Sequence, residues 1–436
     1  MDINLGVNMG NLKQLNQLSP QDQKLARKFE KVDYGWIVMS IGMAIGAGIV
    51  LLPVQIGVMG IWVFLGSALI GYPAMYFFQK LFINTLAHSK TCQDYPSILN
   101  DYLGHHWGII PGILYFIMLI IWAFIYALTI TNDSASYLVS FGVTSTYLSD
   151  NPLYSLCLLS ALVWIASSKE KFLFAVSGSM AVIVLFIVAV MGVLLIPLWN
   201  LEAITQIPDW STLWMNIIIT LPFTLTSILF IQSLSPMVIS YRSHFKSTEV
   251  ARYKAIRSMN IAFIILFCVV FFFAISFTFA IKQEQAFAAQ AQNISALAII
   301  AQYYPGNWAT YAGVLIDIFA VVTSFFGVFL GLREALMGLL RHLTKSYLQQ
   351  ELTDKKLQQG ATLFVIVLCW LVTLSDWSIL KLASLSGPIF GLVGCLIPAY
   401  LVFKIDDLKP YRTITTYFIV FTGILLCVSP LLHFTQ

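Results

Sequence analysis

The stretch SIGMAIGAGIVLLP, residues 40–53, lies in the first long apolar run of this sequence and is its best indicator of the fold. It places Gly42, Gly46 and Gly48 within seven residues and Pro53 shortly after them. A helix that crosses lipid must pair every backbone N–H and C=O internally, and each glycine weakens a helix by about 1 kcal/mol relative to alanine. Such residues are tolerated where a helix opens to present its backbone to a ligand. Close helix packing is the alternative, because small residues four apart let backbones touch; we favour the opened helix.

The composition is that of a membrane protein. Of the 436 residues, 59% are hydrophobic and 10% are charged, whereas soluble proteins average about 25% charged residues. The six cysteines and six histidines show no spacing typical of a disulfide framework or a metal site. The polar first 33 residues lack the apolar core of a cleaved signal peptide. Since no pairing of a nucleophile with a base is visible either, we do not expect an enzyme.

Apolar runs of about 20 residues, the length that crosses a bilayer, predict an all-α polytopic membrane protein with eleven spans. The predicted spans are residues 34–56, 60–83, 108–139, 151–167, 171–198, 211–240, 258–281, 308–340, 359–375, 379–402 and 413–434. In this arrangement all but two of the 24 lysines and arginines, Lys282 and Lys381, lie on the same side as the N-terminus. Positive charge marks the cytoplasmic side, so we predict a cytoplasmic N-terminus and a C-terminus outside.

The sixth predicted span is the second irregular one, because Pro222 stands close to Thr224, Thr226 and Ser227 and Pro236 follows. A proline removes one helix hydrogen bond and clashes with the preceding turn, although nearby hydroxyl groups can pair with the freed backbone. The first and sixth spans enter from opposite sides, and interrupted helices at corresponding places of two inverted halves indicate a transporter site at the midplane.

We therefore predict a five-plus-five inverted repeat followed by one more helix. In this division residues 1–33 are a cytoplasmic tail, 34–402 form the ten-helix core and 403–436 contain the eleventh helix and the C-terminus. Within the core, 34–198 is the first repeat and 211–402 the second.

Several further stretches carry a resemblance to a known family. They are ALTITN (127–132), LIPLWN (195–200), QNIS (292–295), SFFG (324–327), LGLRE (330–334) and SGPI (386–389). Together with GMAIGAG (42–48), they resemble the bacterial serine/threonine permeases of the hydroxy and aromatic amino-acid permease family, related to amino-acid/auxin permeases. The similarity runs in the same order from about residue 34 to 430.

The resemblance implies a LeuT-type fold with broken helices 1 and 6, and cation-coupled uptake of a small neutral amino acid of the hydroxy or aromatic type. A bacterial inner membrane is the location it implies. The expected partners are the amino-acid substrate and membrane lipid, with no nucleic acid.

The eighth span departs from this family. The permeases usually carry a lysine just before Ser-Phe-(Leu/Phe)-Gly and a histidine just after it, where this sequence has Thr323 and Val328. The segment AVVTS, residues 320–324, instead resembles sodium-coupled transporters with the same fold. The sodium ligands implied are the carbonyls of Gly42, Ile45 and Ala320 and the hydroxyls of Thr323 and Ser324. These are hard oxygens, which suit a hard cation, so we expect sodium as the coupling ion and no other cofactor; hydroxyls bonded one turn back are the alternative.

The substrate site is expected where the broken helices meet. There the amides of Gly46, Ala47 and Gly48, at a half-helix N-terminus, would bind the carboxylate. The unwound carbonyls and hydroxyls around Thr226 and Ser227 would receive the ammonium group. Tyr126, which matches the family, closes over the substrate or serves packing. The substrate-binding residues predicted are Ala44, Gly46, Ala47, Gly48, Tyr126, Thr226 and Ser227. The family pattern breaks down after Pro222, so it does not fix the substrate preference.

Asp317, in the eighth span, is the candidate for the alternative of proton coupling. A carboxylate at membrane depth costs roughly 2.5–3.5 kcal/mol and therefore usually has a function. It stands about 10 Å from Ser324 along the helix, on nearly the same face. Asp133, near the outer end of the third span, is expected to reach solvent. An amino-acid sensor or a channel is a further alternative.

Overall fold

The computed structural model describes residues 18–89, 99, 101–104, 107, 109–167, 170–205, 207–303, 308–347, 353–375 and 377–433. All regular structure among these residues is helical, which confirms the predicted all-α class.

The helices follow the predicted spans closely. Helix α1 (Pro20–Arg27) precedes the first span, which consists of α2 (Lys31–Val50) and α3 (Leu52–Met59). Next come α4 (Ile61–Ala87), α5 (Ile109–Ser140), α6 (Pro152–Ala166) and α7 (Glu170–Leu194). The sixth span is formed by α8 (Trp210–Thr226) and α9 (Ile231–His244), and α10 (Thr248–Ala280), α11 (Gln283–Gln292) and α12 (Ala296–Tyr303) follow. The remaining helices are α13 (Trp308–Tyr347), α14 (Asp354–Thr373), α15 (Ile379–Phe390), α16 (Ile397–Lys404) and α17 (Ile414–His433), with a π-helical turn at Gly391–Leu396 before α16.

Ten helical stretches within the described ranges are long and apolar enough to cross a membrane. The fourth predicted span corresponds to α6, which has 15 residues and is shorter than the roughly 20 that a crossing takes. The count of eleven therefore stays a prediction. Large apolar side chains such as Leu69, Trp164 and Ile414 point outward and are 77%, 79% and 85% exposed. An outer surface of this kind suits lipid rather than water.

The first span is broken, but not at the glycines. Helix α2 continues through Gly42, Gly46 and Gly48 and ends at Val50, and α3 begins at Leu52. The opening predicted at Gly46–Gly48 is therefore wrong in position. A glycine weakens a helix but keeps its N–H, whereas Pro53 cannot continue the hydrogen-bond ladder and is accommodated in the first turn of a new helix.

The sixth span is broken as well, one turn beyond its first proline. Pro222 lies inside α8, which ends at Thr226, and the chain leaves helical geometry before α9 begins at Ile231. Pro236 lies inside α9. The two breaks confirm the pair of interrupted helices that the sequence predicts.

The glycines of α2 allow close contact with its neighbours. Helix α2 packs against α7, α10 and α13. A Cβ atom at Gly46 would collide with the Ser324 hydroxyl, and one at Gly48 would collide with the carbonyl of Ser227. The close-packing alternative therefore describes these two glycines in this structure.

A buried ionic cluster ties the start of α2 to α9 and α10. Asp33 is fully buried and accepts hydrogen bonds from Lys254 Nζ at 3.1 Å and from Arg257 Nη2 at 3.0 Å. The Tyr241 hydroxyl donates to its other oxygen at 2.7 Å. Lys254 and Arg257 also donate to the backbone carbonyl of Lys28. We call Asp33, Tyr241, Lys254 and Arg257 the Asp33 cluster; it fixes the segment before α2 to the end of the helix bundle that is predicted to be cytoplasmic.

Candidate functional site

A cavity of about 480 Å³ lies between α2, α5, α13 and the break in the sixth span. Five predicted site residues are on its wall: Gly42, Tyr126, Thr226, Thr323 and Ser324. Apolar and aromatic side chains cover most of the remainder, among them Met39, Met43, Trp122, Phe326 and Phe390. The cavity continues along α2 to Gly35, about 10 Å beyond Gly42, and so extends toward the predicted cytoplasmic side.

The other predicted residues are not on this wall. Ala44, Ile45, Gly46 and Gly48 are buried in α2, and the side chain of Ala47 lies outside the described part. Their backbone is helical, so the free amides predicted to receive a carboxylate are not available in this arrangement. Ser227, Ala320 and Asp317 are also buried away from the cavity.

At the break in the sixth span, hydroxyl groups pair with carbonyls of the preceding turn. Thr226 Oγ1 donates to the carbonyl of Pro222 at 2.8 Å, and Ser227 Oγ donates to that of Thr224 at 2.7 Å. These are local bonds to carbonyls of the preceding turn. The carbonyl that Pro222 leaves unpaired lies four residues before it and receives neither bond, so the alternative considered for this region is not met by them. As acceptors, the hydroxyl oxygens still have lone pairs for a ligand.

The start of α9 also faces the cavity, which sequence reasoning missed. Leu229 and Gln232 are on the wall, and α9 begins between them at Ile231. A helix N-terminus carries partial positive charge and unpaired N–H groups. Its N-cap position is held by Phe230 without a side-chain cap, so no capping residue marks this helix start in the sequence.

The predicted sodium ligands of α13 lie against α2. Thr323 Oγ1 donates to the carbonyl of Phe319 at 2.7 Å, the one-turn-back bond considered above. Ser324 Oγ has no hydrogen-bond partner among the described residues, although the Tyr126 hydroxyl lies near it. The Ala320 carbonyl and the Ser324 hydroxyl both meet α2 at Gly46, so oxygens of two helices come together at this interface.

Trp122 is a second residue that sequence reasoning missed. Its ring lies 5.5 Å from that of Tyr126 between centroids, and its buried indole N–H has no hydrogen-bond partner in the described part of the chain. The available signal was its position one turn before Tyr126, because residues four apart share a helix face.

Asp317 is fully buried, and its Oδ2 accepts a hydrogen bond from the Tyr137 hydroxyl at 2.7 Å. Asp133 is fully buried too, so the expectation that it reaches solvent is wrong. Its Oδ1 accepts the backbone N–H of Ser295 at 2.8 Å. Because α12 begins directly after Ser295 and covers this end of α5, water is excluded from Asp133.

Comparisons with known proteins agree with this architecture. A crystal structure of MhsT in complex with L-phenylalanine superposes with a TM-score of 0.53 at 14% identity and covers 92% of this chain and 97% of that chain. A crystal structure of a mutant manganese transporter of Eremococcus coleocola superposes with a TM-score of 0.52 at 13% identity over 96% and 87% of the chains. These LeuT-type structures support the fold alone.

Sequence relatives are closer. A serine transporter of Escherichia coli O157:H7 is 54% identical over 96% of this chain and 95% of its own length. The serine transporter SdaC of Escherichia coli K12 is 25% identical over 94% and 96%, and the threonine/serine transporter TdcC of Edwardsiella tarda is 24% identical over 91% and 94%. These relatives are transporters and not enzymes. Since the sequence model of the tryptophan/tyrosine permease family matches residues 31–429, the chain belongs to that family of amino-acid transporters, which confirms the resemblance found in its motifs.

Proposed function

We propose that this chain is a secondary active symporter that imports a small neutral amino acid together with a cation across a bacterial inner membrane. A hydroxy amino acid such as serine is the first candidate substrate, because the similar proteins named above are serine and threonine/serine transporters. Aromatic amino acids are the second candidate. In this proposal the N-terminus is cytoplasmic and the C-terminus lies outside.

The observation that carries the proposal is the cavity beside the break in the sixth span. Its volume of about 480 Å³ lies within the usual range of small-molecule sites, about 300–1,000 Å³. The positive end of α9 favours the substrate carboxylate at the wall. The hydroxyl oxygen of Thr226 on the wall, with the carbonyls that end α8, suits the ammonium group.

The predicted carboxylate site at Gly46, Ala47 and Gly48 requires that α2 open during the transport cycle. In the closed helix the amides of α2 are already paired. The first turn of α9, whose N–H groups can donate to a carboxylate, is then the better place for the substrate carboxylate to bind. The side-chain amide of Gln232, on the wall there, adds a donor.

For the cation we propose sodium, held between α2 and α13. The support is that Ser324 Oγ lacks a partner among the described residues and that the Ala320 carbonyl meets α2 at the same place. The carbonyls of Gly42 and Ile45 and the hydroxyl of Thr323 would complete the site. One monovalent cation that crosses 100 mV releases about 2.3 kcal/mol, enough for about fiftyfold accumulation at 1.4 kcal/mol per tenfold. A single ion site is therefore sufficient.

Proton coupling through Asp317 is the second candidate, favoured by the burial of this carboxyl group and its bond to Tyr137. The two candidates place the cation at different positions along α13: sodium binds at Thr323 and Ser324, whereas a proton binds at Asp317. A sensor or a channel would not accumulate substrate against its gradient.

The test is uptake of labelled serine, threonine, alanine, tryptophan and tyrosine into proteoliposomes, with an inward sodium or proton gradient imposed separately. We expect serine to accumulate, and we expect Thr323→Ala and Ser324→Ala to lose any sodium dependence. The exposed Thr413, outside the cavity, supplies the control Thr413→Ala. If no amino acid accumulates under either gradient, the proposed function is wrong. If protons alone drive uptake, sodium is excluded.

A further inference from the structure

Two buried carboxyl groups meet between α5 and α13. Asp133 and Asp317 are both fully buried, and they face each other, because Tyr137, one turn after Asp133 on α5, donates its hydroxyl to Asp317. One oxygen of each is occupied, by the Ser295 N–H and by the Tyr137 hydroxyl. The other oxygens, Asp133 Oδ2 and Asp317 Oδ1, accept no hydrogen bond from the described residues. The two unsatisfied oxygens thus belong to one site.

Among the described residues, the pair has no counterion. The groups that face the two carboxyl groups are Tyr137, which is on α5 like Asp133, and the hydroxyl of Ser295. Tyr154 of α6 bonds to Ser134 instead. No lysine, arginine or histidine of the described part interacts with either carboxyl group. Lys282 and Glu284, at the start of α11, and Lys381, on α15, are exposed.

Two carboxylates in contact and out of water cannot both be ionised, because like charges repel and each one is costly to bury. A shared proton removes one charge and supplies the hydrogen bond that both oxygens lack. The pair offers two free oxygens, fewer than the five of the sodium site proposed between α2 and α13. The chemistry of the pair therefore fits a proton.

The acid pair lies on the same faces of α5 and α13 as two residues of the cavity wall. Tyr126 precedes Asp133 by seven residues on α5, and Ser324 follows Asp317 by seven on α13. Seven residues make about two helical turns, or about 10 Å, and return to nearly the same face. Since Tyr126 and Ser324 are neighbours on the cavity wall, the two helices run antiparallel and the acid pair lies two turns beyond the cavity.

On the predicted outer side, a small cavity of about 10 Å³ borders Ser295, Asn293 and Gln290. This is about the space that one water molecule needs. Asn293 and Gln290 are partly exposed. A space large enough for one water molecule therefore lies beside Ser295, the residue that faces both carboxyl groups.

We propose that Asp133 and Asp317 form one proton-binding site, which exchanges its proton with the outer side past Ser295. On binding, an O–H bond forms at one carboxyl oxygen and the other carboxylate accepts its hydrogen bond; on release the proton returns to water. In the proton-coupled form of the symport, the pair, and not Asp317 alone, carries the proton of the transport cycle. This inference rests on the second candidate of the proposed function, proton coupling.

The transport test compares accumulation with exchange in proteoliposomes at zero membrane potential. A tenfold inward proton gradient should drive up to about tenfold serine accumulation by the native protein. Asp133→Asn and Asp317→Asn should each abolish that accumulation but keep counterflow exchange of labelled for unlabelled serine. The control Asp209→Asn changes an exposed acid and should behave like the native protein. Proton-driven accumulation that persists in either pair variant would overturn the proposal, as would native uptake that responds to sodium alone.

A second measurement does not depend on transport. Infrared spectroscopy of the purified protein at neutral pH should show the C=O stretch of a protonated carboxyl group. The band should disappear in the double variant Asp133→Asn/Asp317→Asn and persist in Asp209→Asn. If no amino acid is transported but the band behaves in this way, the proposed function fails while the proton site stands. If the native protein lacks the band, the proton site fails.

Discussion

Gly48 of α2 lies directly against the carbonyl oxygen of Ser227, where the sixth span is broken, with no room for a side chain between them. Each of the two broken spans therefore constrains the other. A backbone carbonyl cannot turn aside as a flexible side chain can, so any Cβ at position 48 must push α2 away from this break.

Gly48→Ala should destabilise the protein and reduce uptake at least about tenfold, because overpacking costs about 1–3 kcal/mol and displaces α2 at the substrate site. Thermal unfolding in detergent and serine uptake measure the two effects. The matched control is Gly360→Ala in α14, where an added Cβ would meet no atom within 4 Å. Equal behaviour of the two variants would show that α2 is not held against Ser227.

The Asp33 cluster gives a second prediction, on stability. Lys254→Met removes one cation from a carboxylate that is fully buried, and breaking a buried ion pair costs about 3–5 kcal/mol. Lys409→Met is the control, because its pair with Asp406 is 55% and 82% exposed and exposed pairs contribute about 0–1 kcal/mol. We expect the unfolding temperature to fall strongly only for Lys254→Met. Similar decreases for both variants would contradict the burial of the Asp33 cluster.

The indole N–H of Trp122, which has no hydrogen-bond partner among the described residues, is expected to contact the substrate. Trp122→Phe keeps an aromatic ring and loses the N–H, and a hydrogen bond to a charged group is worth about 1.5–3 kcal/mol. Serine binding should therefore weaken about tenfold or more, with folding unchanged. Equilibrium binding of labelled serine measures this, and Trp164→Phe, on the exposed outer surface, is the control. Unchanged affinity would mean that the N–H serves no ligand.

Pro53 should matter for motion more than for stability. Pro53→Ala permits α2 and α3 to join into one helix, because alanine restores the N–H that proline lacks. We expect unfolding at the same or a higher temperature together with slower uptake. Pro152→Ala, at the first turn of α6, tests proline removal elsewhere and should leave uptake as it was. Faster or unaltered uptake by Pro53→Ala would show that the break is not used.

The sequence predicted the helical class from hydropathy, the family from its motifs and the presence of two broken spans from glycine and proline positions, because all of these are local features of the chain. It misplaced the first break, since glycine-rich stretches also serve close packing and only the partners at Ser324 and Ser227 distinguish the two uses.

The acid pair could not be predicted from local sequence features, for a different reason. Asp133 and Asp317 are far apart in the sequence, and the burial of Asp133 depends on α12, which a hydropathy pattern does not place. Tyr126, Thr323 and Ser324 were predicted because motif positions identify them, and Thr226 because it follows Pro222 in an interrupted span. Trp122 and the start of α9 carry no such motif.

The Asp33 cluster also bears on how the chain is assembled during synthesis. Asp33 and Lys254 are separated by 221 positions, so the carboxylate that begins the first membrane helix does not meet these buried partners until α10 has been made. At about 5–20 residues per second, this interval lasts about 10–45 s. Throughout it, Asp33 must stay hydrated at the membrane surface, and the arrival of Lys254 and Arg257 then brings the oldest helix of the nascent chain into its final position.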